Sequence, residues 1–174
     1  MEANFRAHID RSRETAITLG GEKRSFVPFG ALKSFLTEEN TRVLLRETTG
    51  SNHRILPNKI VRNFLRVFSI LVSIDKAIYL RLFYENPDRL ADANLPFTNG
   101  HDWHEKCKPF FSEFYAKQWE FCARKFHTDW MNDTLLDDEL ILPIIEMECL
   151  KSGNGSSTYR IKIHSEYSSL EVVS

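Results

Sequence analysis

The sequence predicts a mainly α fold, a helical domain that ends in a β-hairpin. Three observations carry that expectation. Apolar residues recur at steps of three and four over residues 57–74 and again over 109–126. Residues 158–164 alternate strictly between apolar and polar, and the glycine- and serine-rich run 152–157 supplies a turn before them. With 42% hydrophobic and 27% charged residues, the 174-residue chain has the apolar content for a core, which excludes global disorder.

Each element follows from local pattern. Residues 1–23 are weakly patterned and are expected to be mobile, or to form a loose hairpin around Gly20 and Gly21. Order is expected from Arg24, with helical spacing at Leu32, Phe35 and Leu36. It resumes at Val43, Leu44 and Leu45 after a polar break over 37–41, and 50–53 read as a loop. Pro57 suits a first helical turn, and the helix it opens has a narrow polar stripe of Lys59, Arg62, Arg66, Ser69 and Ser73. The rest of its circumference is apolar, so it should be the central helix. A shorter piece over 76–84 carries Ile78, Tyr79, Leu82 and Phe83, and 86–100 read as a connection.

The helix expected over 109–126 has an apolar stripe of Phe111, Tyr115, Trp119, Cys122 and Phe126, widened by Phe110, Phe114 and Phe121. Its wet face pairs Glu113 with Lys117 and Glu120 with Arg124. The strand pattern then predicts a hairpin of 145–151 with 158–164, which puts Tyr159, Ile161 and Ile163 on one face and Arg160, Lys162 and His164 on the other. Such a hairpin leaves an unpaired strand edge. The expected division is a mobile segment 1–23, a helical domain 24–141 and a hairpin unit 142–174.

Charge and composition narrow the partners. Lys plus Arg number 23 against 24 for Asp plus Glu, so there is no electrostatic drive toward nucleic acid or an anionic membrane. The clusters at 11–13 (RSR) and 22–24 (EKR) fall short of a basic arm. The first ten residues lack the apolar stretch of a secretory leader, and the apolar run at 67–74 is too short to span a bilayer. Cys107, Cys122 and Cys149 are odd in number and widely spaced, which fits reduced thiols. The expected location is cytoplasmic or nuclear, not secreted.

Little in the chain reads as catalytic chemistry. His101, His104 and Cys107 are three metal-ligand types in seven residues, but no clear fourth ligand accompanies them and their spacing is no zinc pattern, so a loop is expected there. Cys122 falls on the apolar stripe, where burial raises a thiol's pKa. Asp137, Asp138 and Glu139 are consecutive and cannot form an opposed acid–base pair. Neither a catalytic residue nor a metal site is expected. The remaining site is the glycine turn, since glycines between two strands let backbone N–H groups approach a phosphate. A kinase-type loop has the form GxGxxGxV; starting from Gly153, the chain matches at Gly155 but has Thr158 in place of the third glycine. In a second register, Lys151 and Ser156 flank Gly153. Gly153, Gly155 and Ser156 are the nucleotide-binding candidates.

Several runs, in order, carry a resemblance: RSFVP at 24–28, VFSILVSIDK at 67–76, LADANLPF at 90–97, KQWEF at 117–121, LILPIIE at 140–146 and YRIKIH at 159–164. Over residues 24–164 this order and spacing resembles the helical region that precedes, and enters, the kinase domain of fungal protein-kinase-like proteins. The resemblance implies that the hairpin corresponds to the first strands of a kinase small lobe. Kinase chemistry needs a third-strand Lys, a catalytic-loop Asp and a metal-binding DFG Asp, and the chain reaches residues 171–174 without them. The expectation is therefore a non-catalytic regulatory or interaction module without a cofactor, its partner a protein or a missing kinase lobe. The alternative is an ATP-binding kinase fragment that acts only with further downstream chain.

Overall fold

The computed structural model describes residues 1–18, 21–50, 55–126, 138–153 and 155–168. Gly20, the loop expected at 51–53, Asp137 and residues 171–174 lie outside them. The helices are α1 (Glu2–Arg11), α2 (Phe29–Phe35), α3 (Glu38–Thr49), α4 (Pro57–Asn63), α5 (Leu65–Ser73), α6 (Leu80–Tyr84), α7 (Pro87–Leu90) and α8 (Phe111–Gln118). The strands are β1 (Glu14–Thr18), β2 (Lys23–Phe26), β3 (Ile141–Leu142), β4 (Ile144–Gly153) and β5 (Ser156–Ile163). Short 3-10 turns cover Ala77–Tyr79, Asp92–Asn94, Lys108–Phe110, Trp119–Phe121 and Ser165–Tyr167. The fold is thus a mixed helix-plus-sheet one, about half helical, with two small antiparallel sheets among the described residues.

The centre is α5, whose residues Leu65 and Val67 through Val72 are all buried. The single helix expected over 57–74 is instead two, broken at Phe64, where φ −136° and ψ 21° leave the helical region. The break frees the first amides of α5, and Asp92 meets them: its two carboxylate oxygens accept the Arg66 and Val67 N–H groups, each at 2.8 Å. At the other end Arg6 donates to the carbonyls of Val72 (2.6 Å) and Ser73 (3.3 Å). An acid at the N-terminus and a base at the C-terminus both oppose the helix dipole favourably. Ser69, expected on the polar stripe, is fully buried. Its hydroxyl is satisfied inside the helix by the Leu65 carbonyl at 2.7 Å.

Residues 1–23 differ most from expectation, because they are ordered through most of their length. Helix α1 buries Phe5 and Ile9 on the helical core, and Arg6 ties it to α5. Two large apolar positions over ten residues give weak periodicity, and the anchors that complete the docking are polar. Strand β1 pairs with β2, so a hairpin does form, and β1 then becomes the middle strand of a β2-β1-β3 sheet. Its partners across the chain are Ile17 with Leu142 and Thr18 with Ile141. The expected boundaries at 23/24 and 141/142 therefore fall within one sheet.

The polar run over 37–41 is the first turn of α3, not a break: the Thr37 hydroxyl accepts the Asn40 N–H at 3.2 Å, with Glu38 and Glu39 following. The helix expected over 109–126 is regular only over Phe111–Gln118, and its deepest residues are Phe114 and Gln118 rather than Phe111 and Tyr115. Lys117 pairs with Glu120 at 2.8 Å. Within the expected connection 86–100 lie α7 and a 3-10 turn.

Two apolar clusters result. One surrounds α5 and includes an aromatic group in which Trp103 lies 5.0 Å from each of Phe83, Phe111 and Phe114. The other joins the three-stranded sheet to Trp119, Ile144 and Tyr167. No helix among the described residues is long and apolar enough to cross a membrane.

Candidate functional site

The expected hairpin is present as β4 and β5, longer toward its turn than 145–151 with 158–164. Met147 pairs with Ile161 and Cys149 with Tyr159; Glu146 pairs with Lys162 and Glu148 with Arg160. Directly opposed residues share a face, so the ribbon has one charged and one apolar side. On the charged side Lys162 meets Glu146 at 2.6 Å and Arg160 meets Glu148 at 3.1 Å. The apolar side is uncovered: Tyr159 is 50% exposed, Met147 43% and Ile161 40%, with Leu150 also 50% exposed at the register shift after Cys149. Four of the six exposed large hydrophobic residues described lie on this ribbon, the others being Leu56 and Ile78. That concentration separates the ribbon from ordinary scattered surface hydrophobics.

The nucleotide-binding candidates sit at the ribbon's tip. Gly153 pairs with Ser156, and Gly155 has φ +81°, the left-handed conformation that favours glycine. The Ser156 hydroxyl donates to the Gly153 carbonyl at 3.4 Å. A Cβ added at Gly153 or Gly155 would meet no atom within 4 Å, so the tip stands open.

A second site was not visible as a motif. Where the two apolar clusters meet, a cleft of about 840 Å³ is lined by Phe29 and Lys33 of α2, Arg66 of α5, Trp119, Lys125 and Tyr167, among others. Arg124 also contributes to its wall, and Glu166 is the one carboxylate among the described lining residues. Lys33 Nζ and Arg66 Cζ each lie 4.6 Å from the centre of the Phe29 ring. Such cation–π contacts hold both charges in place without neutralising them. The Tyr167 hydroxyl accepts the Phe29 N–H at 3.0 Å, and burial pushes its pKa up to about 12. Glu166 accepts the Gly30 N–H at 2.7 Å. Gly153, Gly155 and Ser156 are not among the lining residues.

The other sequence candidates are placed as follows. Cys107 is buried while His101 and His104 are exposed, and no group of His, Cys, Asp or Glu among the described residues is arranged to hold a metal ion. Burial pushes the Cys107 thiol up to about 11 and the Cys122 thiol up to about 12, which leaves both protonated and unreactive at neutral pH. Asp92, within the expected connection 86–100, caps α5, with burial pushing its carboxyl up to about 6 against the pull of its two backbone hydrogen bonds. Comparison with protein-family models, with curated proteins and with solved structures finds no match.

Proposed function

We propose that this chain is a non-catalytic interaction module that corresponds to the N-terminal part of a fungal protein-kinase-like protein, working in the cytoplasm or nucleus. Its partner is a protein that lays a β-strand and apolar side chains against the β4–β5 ribbon. The carrying observation is the ribbon's uncovered apolar face at Met147, Tyr159 and Ile161. A two-stranded ribbon is marginal on its own in water, and an open apolar strand edge is a template for pairing with another chain. The charges on its other face are already matched in cross-strand pairs, so the surface favours an uncharged, alternating strand over an acidic or basic one. The 174 residues contain neither an HRD nor a DFG motif, which supports reading them as a binding unit rather than one for phosphoryl transfer.

Panning random displayed peptides on the purified protein tests this reading. Enriched peptides should alternate apolar and polar residues and should lose binding to a Tyr159→Lys/Ile161→Lys protein. Enrichment that ignores this double substitution, or no enrichment, contradicts the reading. The second reading, an ATP-binding kinase fragment that acts only with further chain, draws on Gly155 at its left-handed turn beside Gly153.

A further inference from the structure

We infer that the cleft where the two apolar clusters meet binds a phosphate monoester, with Lys33, Arg66 and Lys125 as the cationic contacts and Phe29, Trp119 and Tyr167 as the wall for the attached carbon group. The cleft is independent of the ribbon and shares no residue with it.

The charge balance is the first argument. Lys33, Arg66 and Lys125 line one small cleft, yet none of them forms an ion pair among the described residues. Among the described residues the nearby acids make hydrogen bonds to backbone groups: Asp92 to the Arg66 and Val67 amides, Glu166 to the Gly30 amide. Two of the cations are drawn to one aromatic ring, Phe29, which brings like charges together at a cost that a bound anion would offset. Three such cations beside one carboxylate among the described lining residues make a local positive excess, since the whole chain carries a formal net charge of −1.

The second argument is polar satisfaction. Buried N–H groups nearly always have partners. Among the described residues, two of the four buried side-chain polar atoms without one, Arg66 Nε and Trp119 Nε1, belong to residues that line this cleft. The Trp119 side chain is almost fully buried and lines this cleft, so its unpartnered indole N–H sits at the cleft wall.

The third argument is size and shape. About 840 Å³ suits a small molecule or one modified side chain, and is far too small for a nucleic-acid duplex. Three cations exceed what one carboxylate needs, whereas a phosphate monoester brings close to two negative charges and three acceptor oxygens. Guanidinium and ammonium groups both recognise that group, and aromatic walls take an attached ring or chain.

Calorimetric titration with phenyl phosphate, with phenylacetate as the monoanionic control, tests the assignment. Phenyl phosphate should saturate with a Kd on the order of 100 µM and bind roughly tenfold tighter than phenylacetate. Lys33→Glu and Lys125→Glu change exposed side chains and should each weaken it about tenfold without altering the circular dichroism spectrum. In NMR the indole N–H signal of Trp119, assigned with Trp119→Phe, should shift on titration. A phosphotyrosine peptide separates the two sources of the group: tighter binding than phenyl phosphate points to a phosphorylated protein, equal or weaker binding to a small phosphate ester. The inference is overturned if phenyl phosphate does not saturate by about 10 mM, or if both charge-reversal proteins bind it unchanged with the Trp119 signal unmoved.

Discussion

Gln118 and Phe97 are joined by a reciprocal pair of hydrogen bonds. The Gln118 side-chain Nε2 donates to the Phe97 carbonyl at 3.0 Å, and its Oε1 accepts the Phe97 amide at 2.8 Å. Gln118 is fully buried, so this one side chain gives the backbone of a buried loop residue the partners that a neighbouring strand would otherwise supply. It also holds the Phe97 ring against Phe114, with ring centres 5.6 Å apart. Gln118→Ala would leave two buried backbone groups unpaired and should cost about 2–4 kcal/mol in urea denaturation. A loss below about 0.5 kcal/mol, typical of surface changes, would mean that water replaces the side chain.

Leu71→Ala and Trp119→Ala should each destabilise the protein by about 2–5 kcal/mol, because both side chains are buried and their removal opens cavities. Ile78 provides the contrast. It belongs to the apolar pattern of 76–84 but is 62% exposed, so Ile78→Ala should stay within about 0.5 kcal/mol. Equal losses at Leu71 and Ile78 would contradict the packing.

Asp92 makes stability depend on pH in a stated direction. Burial raises its folded-state carboxyl from 3.8 to about 6. Between those values the folded protein holds a proton that the unfolded chain has released, so stability falls as pH rises through that window and levels off above it. Its contribution to the slope approaches about 1 kcal/mol per pH unit at most. In denaturation series at several pH values, Asp92→Asn should remove this contribution while costing stability overall through the weakened cap on α5. An unchanged slope in Asp92→Asn would mean that the two backbone hydrogen bonds outweigh burial.

The ribbon tip should not bind Mg·ATP. Gly153 is open on all sides and Gly153→Val leaves the turn geometry intact, so any calorimetric signal with Mg·ATP should be unaffected by that substitution. A signal arising in the basic cleft would instead be lost in Lys33→Glu. A micromolar isotherm abolished by Gly153→Val would favour the ATP-binding fragment.

Periodicity revealed the buried α5 and the β4–β5 ribbon because both obey strict spacing rules, 3.6 for the one and 2 for the other. It missed α1, whose docking depends on Arg6 reaching the end of α5, and it missed the break at Phe64, which depends on a carboxylate 28 positions away at Asp92. Thr37 is legible as a cap, since a threonine followed by Glu38 and Glu39 is a helix-start signal, though the polarity of the run by itself suggests a break. The cleft had no local signature. Lys33 and Lys125 look like any solvated charge, Arg66 like one point on a polar stripe and Trp119 like core; only the fold brings them to one wall.

Site-specific photo-crosslinking in cells decides between a docking ribbon and a merely exposed one. A benzophenone amino acid placed at Tyr159 is compared with the same group at Ile78, a similarly exposed apolar position far from the ribbon in sequence. A docking ribbon predicts one discrete protein adduct at position 159, none at 78, and loss of that adduct when Ile161→Lys is added. Equal labelling at both positions, or no adduct at 159, would contradict the role proposed for β4 and β5.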